Sequence, residues 1–228
     1  MSQSPSGIPY NNSLFGSFTR EQVLRRHEML LPPSKLQDSF FADAKLYPNR
    51  ISAIKGLPIN PKSILEIGTL AGDFAEYLID IWKPEELCLI DFFNSDDHIF
   101  HTPRFDSDSH FDYVKNRFSV LHNLSLLKGE SHLQLQLLLD QKRKFDFIYI
   151  DAGHTYADVS RDLKLASKLL NSGGVIGMND YIMTDYYYDT VYGVVQATNE
   201  FLNNSSDYTI IGYALNDNLF SDIYLKKD

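Results

Sequence analysis

Residues 63–91 read SILEIGTLAGDFAEYLIDIWKPEELCLID. Ser63 to Ile67 is a short apolar run that ends at a glycine. Phe74 to Trp82 carries apolar residues at helical spacing, and Leu87 to Ile90 is a second short apolar run, closed by Asp91. Strand, glycine turn, helix and strand in immediate succession predict a βαβ unit with parallel strands, because the helix carries the chain back to the end where the first strand began.

Downstream the alternation continues. Helical patterns over Phe111–Leu121, His132–Gln141 and Tyr156–Leu170 are interleaved with apolar runs over Leu124–Leu127 and Phe145–Ile150. In the third helix Val159, Leu163, Ala166 and Leu170 share one face. Gly173-Gly174 leads into a strand over Val175–Met178, and a helix is expected over Asp189–Leu202. The last strands, Tyr208–Ala214 and Ile223–Leu225, are joined by a turn at Asn216-Asp217-Asn218 with no helix between them. They should form a hairpin and place one antiparallel strand in the sheet. The expected fold class is therefore α/β: a Rossmann-like, doubly wound, seven-stranded sheet, mostly parallel, with one antiparallel strand in a C-terminal hairpin.

Upstream, residues 1–17 are rich in Ser, Asn, Gly and Pro. Helices are expected over Thr19–Leu31 and Ser34–Tyr47, before a connector punctuated by Pro48, Pro58 and Pro61. This divides the chain into an N-terminal arm and helical cap, residues 1–60, and a sheet domain, residues 61–228. The cap is expected to close over a ligand or to build a homodimer contact.

With 43% hydrophobic and 22% charged residues, the 228-residue chain has the composition of a globular protein. Thirty acidic against twenty-one basic residues give a formal charge of -9, which argues against sequence-independent binding to nucleic acid or to an anionic membrane. No apolar run approaches the ~18 residues of a membrane span, and the N-terminus lacks a secretory pattern. A cytoplasmic location is the expectation. Cys88 is the single cysteine, and within Leu87-Cys88-Leu89-Ile90 it reads as a buried structural thiol.

Ligands of doubly wound sheets bind outside the carboxyl ends of the strands, which directs attention to Gly68, Asp91, Gly129, Asp151 and Asp180. The first turn, Glu66-x-Gly68-Thr69-x-x-Gly72, is neither the G-x-G-x-x-G fingerprint nor a P-loop. An acid two residues before a tight turn suits a cationic ligand better than a pyrophosphate; a purely structural turn is the alternative. Asp91 can accept hydrogen bonds from two ribose hydroxyls, or it caps its own loop. Gly129-Glu130-Ser131 can border an adenine ring, and Ser131 can also act as a helix N-cap. The long polar stretch Asn94–His110, holding His98, His101 and His110, reads as a functional loop. Tyr181, Tyr186, Tyr187, Tyr188 and Tyr192 either wall an acceptor pocket or serve ordinary packing.

Taken together, Glu66-x-Gly68-x-x-x-Gly72, Asp91 and Gly129-Glu130-Ser131 resemble the cofactor-binding motifs of class I S-adenosylmethionine-dependent methyltransferases. Phe145–Tyr181, FDFIYIDAGHTYADVSRDLKLASKLLNSGGVIGMNDY, is similar to the small-molecule O-methyltransferase branch with catechol-type and macrolide-sugar enzymes. The resemblance implies an S-adenosylmethionine site built by Glu66, Gly68, Thr69, Gly72, Asp91, Glu130, Ser131 and Asp151. It also implies Mg²⁺ on Asp151, Asn179 and Asp180, with oxygen ligands suited to that ion, and His154 as general base toward a small-molecule hydroxyl. Asn179 precedes Asp180 here, whereas the family order is often Asp then Asn, so the ligand set stays open. A nucleotide-dependent oxidoreductase and a non-catalytic S-adenosylmethionine-binding subunit are the alternatives.

Overall fold

A computed structural model describes residues 34–94, 109–185, 190–216 and 220–228. Its sheet has eight strands: β1 (Lys45–Tyr47), β2 (Ser63–Ile67), β3 (Glu86–Asp91), β4 (Leu124–Lys128), β5 (Phe145–Ile150), β6 (Leu170–Met178), β9 (Tyr208–Asn216) and β10 (Phe220–Lys227). They lie in the order β1-β9-β10-β6-β5-β2-β3-β4. β7 (Thr184–Asp185) and β8 (Thr190–Val191) form a separate two-stranded ribbon. β10 runs antiparallel to both of its neighbours, while the other adjacent pairs of the large sheet are parallel. The α/β architecture with one antiparallel strand in a C-terminal hairpin is the one expected.

Neighbouring residues along each central strand enter opposite layers, as the strand period of two requires. Ile64, Leu87, Leu89, Phe147 and Tyr149 pack beneath Ala53, Ile54, Ala75, Leu78 and Val114. These belong to α1 (Arg50–Gly56), α2 (Asp73–Trp82) and α3 (His110–Arg117). Leu65, Cys88, Ile90, Ile148 and Ile150 pack on the opposite face against Leu135, Val159, Leu163, Ala166 and Ala197, from α4 (Ser131–Asp140), α5 (Tyr156–Leu169) and α6 (Val194–Asn203). Cys88 is fully buried, and burial pushes its thiol up to about 12.

Three elements differ from expectation. The helix expected over Ser34–Tyr47 is a single 3-10 turn at Asp38–Phe41 followed by β1, so the sheet has eight strands and not seven. Lys45 to Tyr47 pair with Gly212 to Ala214, and the buried Tyr47 ring donates its hydroxyl to the Gly56 carbonyl at 3.0 Å. Pairing at the sheet edge overrides a weak helical pattern. The connector after Pro48 contains α1, started by the Asn49 side chain, which accepts from the Ser52 amide at 2.8 Å. The helix expected from Asp189 begins at Val194, because Thr190 and Val191 pair with Asp185 and Thr184. The helix expected over Thr19–Leu31 lies outside the described residues. Among them, no helix is long and apolar enough to cross a membrane.

Candidate active site

The carboxyl ends of the central strands are laced into one rim. The Gly68 amide donates to Ile90 O (2.8 Å), Gly129 to Asp91 O (2.9 Å), Asp151 to Ile67 O (2.7 Å) and Asn179 to Ile150 O (2.9 Å). Gly68 has φ +88°, and a Cβ there would stand 1.8 Å from the Asp151 carbonyl oxygen. The turn after β2 can thus lie against the end of β5 only with glycine at that position.

Within this turn Thr69 donates its hydroxyl to Glu66 Oε2 at 2.6 Å. Both side chains are buried. Burial raises the Glu66 carboxyl to about 8, against the opposing pull of the Thr69 hydrogen bond and the Arg50 charge. Asp91 grips the same turn: its Oδ2 accepts from the Leu70 amide and its Oδ1 from the Phe93 amide, each at 2.8 Å. Each oxygen keeps a second lone pair, so the capping role and a ribose-binding role are compatible. Glu130 is the N-cap residue of α4 and makes no side-chain cap bond. Ser131, expected as a cap, is instead the first helical residue.

Asp151, Asn179, Asp180 and His154 meet at the ends of β5 and β6. His154 Nε2 lies 3.4 Å from Asp180 Oδ2 and 3.8 Å from Asp151 Oδ1. It is buried with no hydrogen-bond partner. The imidazole stacks on Tyr192, ring centroids 4.4 Å apart and 12° between planes, and the Tyr192 hydroxyl donates to Asp185 Oδ2 at 2.7 Å. The His154 carbonyl accepts from the Gly193 amide at 2.8 Å. Burial holds the His154 pKa below its ordinary 6.5, with the Asp185 charge opposing, so the ring is neutral near pH 7. Burial, and then the neighbouring charge of Asp222, raises Asp180 to about 6. Asp151 is also pushed up by burial, partly offset by Arg50. Tyr186, Tyr187 and Tyr188, with His98 and His101, lie outside the described residues.

Three residues of this cluster escape the sequence reading: Arg50, Tyr149 and Asp222. The Arg50 guanidinium donates from Nε to Asp222 Oδ2 at 2.7 Å, from Nη2 to Asp222 Oδ1 at 3.2 Å, and also from Nη2 to Asn179 Oδ1. It stands 5.1 Å from the Phe74 ring centroid and 5.3 Å from that of Tyr149, and the Tyr149 hydroxyl donates to Asp222 Oδ2 at 2.8 Å. The available signal was Asp222 itself, an acid at the same strand parity as the core residue Tyr224.

Asp151, Asn179 and Asp180, the residues expected to hold Mg²⁺, come together, but the Asn179 oxygen faces Arg50 and not the two carboxylates. The Asn179 oxygen is taken by Arg50, and its amide nitrogen donates to Asp151 Oδ1 at 2.5 Å. Among the described residues, no group of three or more His, Cys, Asp or Glu side chains is arranged to hold a metal ion. The set fits a cationic organic ligand better. The carboxyl groups of Asp151, Asp180 and Asp222 lie around the Arg50 guanidinium and the Asn179 amide, where a cationic organic group can meet them.

A doubly wound sheet with its C-terminal hairpin, a glycine turn gripped by the acid of the next strand, and an acid–imidazole pair on the same rim define a class I, S-adenosylmethionine-dependent methyltransferase. The family model described as a methyltransferase domain matches residues 65–181, and the chain belongs to that family. Solved structures agree in fold. The O-methyltransferase from Bacillus cereus, in complex with S-adenosylhomocysteine, superposes with a TM-score of 0.58 at 18% identity, over 97% of this chain and 93% of that one. The O-methyltransferase TomG of tomaymycin synthesis from Streptomyces achromogenes, in complex with S-adenosylmethionine, gives 0.56 at 18% identity over 96% and 93%. The N-methyltransferase NodS from Bradyrhizobium japonicum, in complex with S-adenosylhomocysteine, gives 0.53 at 15% identity over 96% and 91%. No curated protein matches the sequence.

Proposed function

We propose that the chain moves a methyl group from S-adenosylmethionine to a hydroxyl oxygen of a small molecule (a phenol, a sugar or another natural product), with His154 as general base. The observation that carries this reading is the buried, unpartnered Nε2 of His154 on the rim shared by Gly68, Asp91 and Asp151. When bound, S-adenosylmethionine supplies an activated methyl on a sulfonium leaving group.

The remaining work falls to the chain's own residues. Gly68, Thr69 and Gly72 present the turn on which the methionyl end lies, with Glu66 beneath it. Asp91 accepts from the ribose hydroxyls, and Glu130 and Ser131 border the adenine. Asp151 faces the cationic end. Neutral His154 receives the acceptor's hydroxyl proton at Nε2, and Asp180, 3.4 Å away, stabilises the imidazolium that results. The Tyr192 stack fixes the ring plane. Orientation supplies much of the rate, since oxygen, methyl and sulfur must lie in line. No step is assigned to Mg²⁺, because the Asn179 amide is committed elsewhere.

The test is a methyl-release assay against phenols, sugars, polyketides and amines, with binding of S-adenosylhomocysteine measured by calorimetry. His154→Ala should lower turnover about 10²–10³-fold while the Kd for S-adenosylhomocysteine stays within about twofold. Full turnover in that variant removes the base assignment. Transfer to amines but to no hydroxyl removes the O-methyl reading.

A further inference from the structure

Asn179 decides what can sit between the two carboxylates of the rim. Its side-chain amide lies between groups of opposite hydrogen-bonding character. On one side is the Arg50 guanidinium, which can only donate. On the other is the Asp151 carboxylate, 2.5 Å from the amide nitrogen. The Asp151 oxygen accepts from this N–H. One orientation of the amide satisfies both neighbours, with oxygen toward Arg50 and nitrogen toward Asp151. The flipped form would set N–H against N–H on one side and oxygen against carboxylate on the other. A divalent ion on Asp151 and Asp180 needs oxygen lone pairs from its ligands. Here an N–H₂ group stands against Asp151.

Arg50 cannot easily give way. Two of its nitrogens grip Asp222, which is fully buried. Bidentate pairs of this kind fix the geometry of the guanidinium. The rings of Phe74 and Tyr149 pack against it, and the Tyr149 hydroxyl braces Asp222 from a third direction. The guanidinium is therefore a permanent charge behind Asn179.

We infer that Arg50 is the resident cation of this rim, a positioning residue that turns the Asn179 amide onto Asp151 and thereby replaces a divalent metal. The inference rests on the methyltransferase reading of the rim. It assigns a metal-independent reaction to a chain whose sequence pattern suggests Mg²⁺.

The experiment is a Mn²⁺ titration of the full chain followed by electron paramagnetic resonance, which reads free Mn²⁺ directly and does not depend on turnover. It is run on the wild type, Asp151→Asn and Arg50→Met, each checked for folding by circular dichroism. The wild type should show no Asp151-dependent site up to millimolar Mn²⁺. Arg50→Met, relieved of the guanidinium charge and with Asn179 free to turn, should gain a site about tenfold tighter or more. A wild-type site lost in Asp151→Asn overturns the inference, as does a folded Arg50→Met that gains nothing. If Arg50→Met does not fold, the wild-type titration decides alone. A parallel arm measures S-adenosylhomocysteine binding in EDTA and in MgCl₂. Equal Kd values support the inference, and binding only with Mg²⁺ overturns it. Absence of binding in both sinks the methyltransferase reading, a separate failure that leaves the Mn²⁺ result to stand on its own.

Discussion

Glu66 pays for its position below the rim in proton affinity. The unfolded chain releases this proton near 4.5, whereas burial holds it in the folded protein up to about 8. Between those values the folded state binds more protons than the unfolded one, so stability falls as pH rises. The contribution is fully present below pH 4.5 and is lost as pH climbs through about 8. Glu66→Gln keeps the shape and a hydrogen-bonding partner for Thr69 without a group to ionise. Its melting temperature relative to wild type should therefore improve by about 10 °C between pH 5 and pH 8.5. Thermal melts at the two pH values test this; a difference between the proteins that does not move with pH would show that Glu66 is ordinarily ionised in the fold. Cys88 makes the complementary case: fully buried, with its thiol raised to about 12, it should resist thiol reagents in the folded protein and react on unfolding.

At the scale of elements, His154 is held by two helix starts that touch at a glycine. A Cβ on Gly193 would stand 2.2 Å from the Tyr156 amide nitrogen and 2.3 Å from its Cα. Since Gly193 also donates to the His154 carbonyl, the start of α6 and the loop before α5 are locked at this point. Gly193→Ala should force them apart. We expect a melting temperature lower by about 5 °C or more, and turnover reduced more than S-adenosylhomocysteine affinity, since Gly193 is bonded to His154 itself. Equal losses in both would place the damage elsewhere. The sequence made some of these elements plain and hid others for physical reasons. Ser63–Ile67 and Phe145–Ile150 were legible to the residue, because strands buried on both faces are continuous apolar runs. β1 and the β7–β8 ribbon, of three and two residues, are too short to show a period. His154, Asp151 and Asp91 were legible because each closes or follows a readable strand. Arg50 and Asp222 were not, since their pairing spans 172 positions and exists only once the sheet is assembled.

For the molecule as a whole, the rim is where the two halves of the sheet meet. The turn after β2 is hydrogen-bonded to β3 on one side, while β2 and β6 are bridged through the end of β5. Asp91 and Asp151 lie on opposite sides of the central strand β2. A ligand that engages both must span that strand and hold its neighbours together. Such a ligand binds the folded state and not the unfolded chain, so it stabilises by about 2.7 kcal/mol at a hundred times its Kd. For a domain of this size that corresponds to a rise of about 5–10 °C in melting temperature. S-adenosylhomocysteine at that excess should produce this shift. On the proposed assignment, Asp91→Ala should reduce it at the same ligand concentration, through a lower affinity for the nucleoside, and His154→Ala, which removes a group assigned to the acceptor, should leave it intact. A shift that vanishes in His154→Ala but survives in Asp91→Ala would reverse the assignment of the two ends of the rim.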